Sequence, residues 1–183
     1  MKILVGLSGG VDSAVAAYLL KEQGHEVVAG FMKNYVSDTR NCTTYNDAID
    51  AIKVAEFLGI EIRSFDLQKE YQERIIDYIF AGYQKGITPN PDVLCNSLIK
   101  FDVFLQRALE QGFDKIAMGH YARIQESCKE DWEMFFHLLR GVDHNKDQSY
   151  FLAGLNQFQL QHSVFPLWGL TKPEVRAIAE KTG

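Results

Sequence analysis

The sequence predicts an α/β fold, an open and mostly parallel sheet with helices on both faces. Three observations lead there. Short apolar runs alternate with stretches of helical periodicity along the whole chain. A Gly-Gly turn stands where the first apolar run gives way to the first helical stretch. At 183 residues, 46% hydrophobic and 23% charged, the chain is long enough for one packed core and too apolar for disorder.

Taken in order, residues 2–7 read as a buried strand, and a helix is predicted from Val11 or Asp12 to about Gln23, closed by Gly24 as C-cap. Residues 26–32 form a second strand and 34–43 a polar, irregular connection. Ala48, Ile49, Ile52, Ala55 and Leu58 then recur at helical spacing, and Gly59 ends that helix. Residues 60–65 alternate as a third strand, and Tyr71, Ile75, Ile79 and Tyr83 mark one face of another helix. The run from Gly86 to Asp92 breaks this pattern, because Pro89 and Pro91 hold the chain extended. Helical periodicity resumes from Leu98 to Leu109, and residues 115–118 form a short strand. A β-hairpin is expected over about 123–142, with Trp132 to Leu139 in its return strand and a charged turn near Glu126 to Asp131. Val175, Ile178 and Ala179 mark a last helix, with Pro173 near its start and Gly183 at its C-cap. There is no repeat or low-complexity segment. Residues 1–122 are expected to form the core, and 123–183 a hairpin and helical extension that starts a smaller subdomain.

Bulk properties narrow the function classes. The apolar run after Lys2 is too short for a signal-peptide core or a membrane span, so a cytoplasmic protein with no membrane partner is expected. Cys42, Cys95 and Cys128 are an odd set without paired spacing, which signals neither a disulfide framework nor a CxxC metal site. The net charge of −5 argues against nucleic-acid binding by bulk electrostatics, though it leaves room for a locally basic face.

Ser8-Gly9-Gly10-Val11-Asp12-Ser13 lies between the first strand and the first helix. Glycines there let a backbone approach phosphate, while the free amides and positive dipole end of the helix point at it. The amides of Gly9, Gly10 and Val11, with the Ser8 and Ser13 hydroxyls, are expected to hold the β- and γ-phosphates of a nucleotide. Asp12 either takes part in holding Mg²⁺ or caps the helix. The plain alternative is a tight βα turn capped by Asp or Ser. Without a Lys-Ser/Thr ending this is not the common P-loop. The string resembles the PP-loop of ATP pyrophosphatases, which implies cleavage of ATP to AMP and pyrophosphate on an adenine nucleotide alpha-hydrolase-like fold.

The second constellation is the loop of residues 88–96, Thr-Pro-Asn-Pro-Asp-Val-Leu-Cys-Asn. Cys95 is placed near a helix start, where the helix end would lower its pKa toward that of a working nucleophile. The alternative is a buried structural thiol. His120 is read as a structural histidine ahead of a catalytic one.

That loop, Gly119-His120-Tyr121, the run of residues 145–152 and Phe31-Met32-Lys33-Asn34 occur in the order found in tRNA-specific 2-thiouridylases, and the chain resembles that family over essentially its whole length. The resemblance implies ATP-dependent 2-thiolation of the wobble uridine, position 34, in tRNAs for Lys, Glu and Gln. The C2 oxygen is adenylated, and sulfur arrives from a cysteine persulfide supplied by an upstream relay donor. It implies an ATP site, with Mg²⁺, at Gly6, Leu7, Ser8, Gly9, Gly10, Val11, Asp12, Ser13, Met32 and Gly119. Asn90, Pro91 and Asp92 would meet the target base, and Lys146, Asp147 and Gln148 the tRNA. Cys95 would be the nucleophile, with Asp92 and Asp12 as further catalytic groups. No metal ligand set is implied. The chain departs from the family pattern in ending before a Ser-Thr-Gly-x-Cys-type segment with the second cysteine, and before the C-terminal β domains. Two other readings stay open, another PP-loop ligase or amidating synthetase and a truncated, non-catalytic ATP- or tRNA-binding module.

Overall fold

In the computed structural model, which describes residues 1–34, 43–128 and 134–182, strands β1 (Lys2–Gly6), β2 (Glu26–Lys33), β3 (Ile62–Asp66) and β4 (Lys115–Ala117) run parallel. A separate antiparallel hairpin follows, β5 (Ala122–Cys128) and β6 (Met134–Arg140), and then β7 (Ser163–Val164) adds to the main sheet. The sheet order is β3-β2-β1-β4-β7. Ile3, Leu4 and Val5 of β1 are wholly buried, as a central parallel strand covered on both faces requires. Their period of two sends them to opposite sides: Ile3 and Val5 join one core cluster and Leu4 another.

Helices α1 (Val11–Glu22) and α2 (Thr43–Leu58) cover one face. Ala17, Leu20 and Leu58 pack there on Ile3 and Val5, and Ala51 and Ala55 on Leu7 and Ala29. Gly24 and Gly59, at φ of 78° and 60°, terminate these two helices as the sequence predicts. The opposite face carries α3 (68–84) and α4 (91–110), whose Ile75, Phe101, Phe104 and Leu105 bury Leu4, Val28 and Ile116. Each such fully buried side chain contributes about 1.5–3 kcal/mol. The last two helices are α5 (Gln157–Gln161) and α6 (Lys172–Thr182). Val175 of α6 packs on Val15 and Ala16 of α1.

The structure differs from the expectation in three places. Helix α4 begins at Pro91, well before Leu98, because Asn90 caps it: its side chain accepts hydrogen bonds from the amides of Asp92 (3.1 Å) and Val93 (3.3 Å). Both long helices contain π turns, over Gln72–Ile76 and Asn96–Phe104. Strand β7 and helix α5, at two and five residues, are too short to leave a periodic signal. The polar turn at 129–131, Trp132, Cys42 and the C-cap at Gly183 lie outside the described residues, and among those described no helix is long and apolar enough to cross a membrane.

Candidate active site

The chain leaves β1 in one direction toward β2 and β3 and later returns on its other side as β4, so the sheet's switch point opens between β1 and β4. Ligands of open α/β sheets bind at the carboxyl ends of the strands there. Residues 8–13 follow β1 and residues 119–121 follow β4, so the two segments meet at this crevice.

The first loop is held open by its own serines. Ser13 Oγ donates to the Gly10 carbonyl (2.9 Å) and accepts from the Ser8 amide (3.2 Å), and Ser8 Oγ lies 3.2 Å from it. Gly9 has φ of 77°, and a Cβ there would stand 2.7 Å from the Asp47 carbonyl oxygen. That position therefore demands glycine twice over. Gly10 takes the N-cap position of α1 without a side-chain cap, so the amides of the helix's first turn are left for a ligand. Ser8 is exposed, whereas Ser13 is buried beneath it.

Asp12 does not cap the helix. Its carboxylate accepts a hydrogen bond from the Tyr121 hydroxyl (2.8 Å) and an ion pair from Lys172 (2.5 Å), which pins the start of α6 to the start of α1. Burial first, and then the Asp12 carboxylate, push the Tyr121 phenol far above its usual range, so it remains a donor. Sequence reasoning missed Lys172, which stands 160 residues from Asp12 and bears no local signal. Gly119 does permit a close approach, but to α1: a Cβ there would lie 2.9 Å from the Asp12 carbonyl carbon and 3.0 Å from the Ser13 nitrogen. Among the described residues no group of three or more His, Cys, Asp or Glu side chains could hold a metal ion.

A cavity of about 250 Å³ opens beside the loop, lined by Ser8, Met32, Asn34, Asp47, Tyr71 and Lys100 among others. Met32 reaches toward β1, its Cε lying 3.2 Å from where a Gly6 Cβ would be. An apolar thioether and a tyrosine beside a phosphate-type loop suit a flat, weakly polar base. Asn34 Oδ1 is buried without a hydrogen-bond partner, an acceptor that an exocyclic amine would satisfy. These features fit an adenine nucleotide. A larger cavity, about 410 Å³, runs between α1, α2 and α6; Gly9, Gly10, Val11 and Lys53 line it at the loop, and Val15, Tyr18, Phe57 and Leu58 make the rest of it apolar.

Cys95 is the fifth residue of α4, half-buried, and its thiol is pushed up by burial, with Lys100 pulling it down and Asp92 pushing it up. The expected lowering is thus corrected: desolvation of the thiolate outweighs a helix end that has already faded by the first turn's close. Asp92 stands exposed in that first turn, and Pro91 opens it. His120 packs between the rings of Phe101 (5.9 Å) and Phe165 (5.8 Å) with its Nδ1 buried and unpartnered. Burial, then the charge of Lys100, lowers its imidazole to about 3, so it is neutral.

Residues 143–148 fold as a turn beside Tyr121, and a 3₁₀ helix follows over Ser149–Leu152. Asp147 accepts from the Ser149 amide (2.9 Å) and hydroxyl (2.7 Å) and pairs with Arg140 (3.1 Å). Gln148 Oε1 accepts from the Tyr121 amide (3.2 Å). Both side chains thus have work within the fold, and Lys146, between an internal backbone bond and solvent, presents the cation of the run.

A family profile described as "tRNA methyl transferase HUP domain" matches residues 1–183. The tRNA-specific 2-thiouridylase MnmA of Akkermansia muciniphila is 55% identical over 185 residues, covering 100% of this chain and 50% of that protein. The MnmA of Christiangramia forsetii is 54% identical over 182 residues, covering 97% and 46%. The chain spans about half the length of the curated relatives it matches. Among solved structures, the U34-tRNA thiolase NcsA from Methanococcus maripaludis with its [4Fe-4S] cluster superposes with a TM-score of 0.58 at 23% identity, covering 98% of this chain and 55% of that one. A predicted tRNA methyltransferase subunit from Methanocaldococcus jannaschii gives 0.59 at 19% identity, covering 98% and 74%. At those identities the two structures speak for the fold alone. With the family profile matching residues 1–183, the chain belongs to the tRNA methyl transferase HUP domain family, and the relatives it matches at above half identity are tRNA-specific 2-thiouridylases.

Proposed function

We propose that this chain is the ATP-using part of an enzyme that converts the wobble uridine of tRNA to 2-thiouridine. The observation that carries the reading is the placement, on one sheet edge, of a phosphate-type loop, a small cavity beside it and the cysteine-bearing start of α4, in a chain 55% identical to a 2-thiouridylase. ATP lies with its base against Met32 and Tyr71 and its terminal phosphates on the first-turn amides of α1. The uridine C2 oxygen attacks the α-phosphorus and pyrophosphate departs. The outer sulfur of the donor persulfide then adds at C2, and AMP leaves with the oxygen. Attack of the Cys95 thiolate on the donor's inner sulfur breaks the S–S bond, leaving 2-thiouridine and a Cys95–donor disulfide. Asn90, Pro91 and Asp92 meet the base, Cys95 is the thiol nucleophile of the transfer from a persulfide donor, and Lys146, Asp147 and Gln148 face the tRNA. Mg²⁺ accompanies the ATP and screens its phosphates, and the acceptors are the tRNAs for Lys, Glu and Gln in the cytoplasm.

The test uses the full-length protein with unmodified tRNA, ATP and a persulfide source. Formation of AMP and of 2-thiouridine, the latter read by nucleoside mass spectrometry, is expected to depend on tRNA. Cys95→Ala is expected to abolish 2-thiouridine, a loss of at least 10²-fold. Unchanged thiolation in that variant would remove Cys95 from the chemistry. AMP release driven by ammonia and a small carboxylate acceptor, with none from tRNA, would favour an amidating ligase.

A further inference from the structure

Lys100 has a place in the site that neither the loop nor the cysteine motif accounts for. It lines the cavity together with Ser8 and Met32, on the side of α4. It also stands five residues beyond Cys95, within the π stretch Asn96–Phe104. In an α-helix residues five apart diverge by roughly 140° around the axis. The i→i+5 bonding of a π turn brings them back to one side, and such turns concentrate at functional sites. The wider turn thus brings the lysine, which lines the cavity, round to the side of the helix that carries the cysteine.

Among the described residues Lys100 has neither a hydrogen bond nor an ion pair. The residue is half-buried and forms no ion pair with Asp47, the carboxylate that shares its cavity, so its charge is free to meet an anionic ligand there. Its charge reaches Cys95 and His120, the first favoured as thiolate and the second held neutral. The other ionisable groups around Cys95 are Asp92 on the same helix and Tyr71 from α3, and both couple to it unfavourably or remain neutral.

We propose that Lys100 is a phosphate-binding residue of the nucleotide site, gripping the α-phosphate, and that the same ammonium is the counter-ion of Cys95. The inference rests on the nucleotide reading above. A nucleotide with its base on Met32 and its terminal phosphates at Ser8 to Ser13 must carry its α-phosphate between them, along the wall that Lys100 supplies. One cation thereby joins the half of the site that adenylates to the half that handles sulfur.

Two readouts on the full-length protein test this, neither requiring turnover. By calorimetry, Lys100→Met is expected to weaken AMP at least 10-fold while adenosine binding stays within 2-fold, and Lys100→Arg to restore most of the AMP affinity. By mass spectrometry of the Cys95 peptide after iodoacetamide pulses across pH, Lys100→Met is expected to move the alkylation midpoint upward, and Lys100→Arg to leave it near the parent value. Equal loss of AMP and adenosine in Lys100→Met, or an unmoved alkylation midpoint, would overturn the proposal. A parent protein that binds neither AMP nor adenosine would instead defeat the nucleotide reading, and this proposal with it.

Discussion

At the scale of single residues the site is a study in what burial does to ionisable groups. His120 and Cys95 lie on adjoining elements, and desolvation dominates both, driving each toward its neutral form. For His120 the consequence is measurable. Its folded pKa of about 3 lies below the ordinary value of 6.5, so between those limits the unfolded chain binds more protons. The contribution is fully present above pH 6.5 and is lost as the pH falls toward 3, at up to about 1.4 kcal/mol per pH unit. Urea unfolding between pH 7 and 4 is expected to show a shallower acid decline in His120→Gln than in the parent. Parallel declines would mean that the imidazole is solvated.

At the scale of elements, contacts of backbone on backbone set the geometry of the loop. The strand end at Gly119 presses on the first turn of α1, and no other side chain leaves room for that contact. Gly119→Ala is expected to cost about 1–3 kcal/mol by overpacking and to tilt the start of α1. The measurements are thermal unfolding together with ATP affinity, and loss of both is expected, since the turn that Gly119 abuts is the one proposed to hold phosphate. A variant with parent stability and parent affinity would show that the approach is looser than described. The cap on α4 belongs to this scale also. Asn90 accepts two amide hydrogen bonds, so Asn90→Ala is expected to destabilise by about 1 kcal/mol in thermal unfolding, whereas Asn90→Asp is not.

At the scale of the whole molecule, distant parts of the chain are tied at one point. Lys172, opening α6, pairs with Asp12, which also takes the Tyr121 hydroxyl, while the Lys172 amide donates to Asp143 (2.7 Å). The pair is about one quarter exposed on each side chain, at 26% and 28%, so screening discounts it only in part. A double-mutant cycle of Asp12→Asn and Lys172→Met, read by urea unfolding, is expected to give a coupling of about 0.5–3 kcal/mol. Additive effects would show that α6 is held to α1 by the Val15, Ala16 and Val175 packing alone.

The sequence by itself determined the layered fold, the loop of residues 8–13 and the place of Cys95 on a helix. Those features are local: apolar periodicity, glycine positions and proline breaks are written in runs of neighbouring residues. The Asn90 cap and the capping box joining Asn156 and Gln159 were equally legible, in short polar spacings, though the apolar pattern alone passes over them. Only the tertiary structure decided that Asp12 answers to Lys172 and Tyr121, that Gly119 serves α1, and that the Cys95 thiol is raised where a helix start suggested lowering. Each depends on which surfaces meet and how much water they exclude, and desolvation is a property of the packed ensemble that no local spacing encodes.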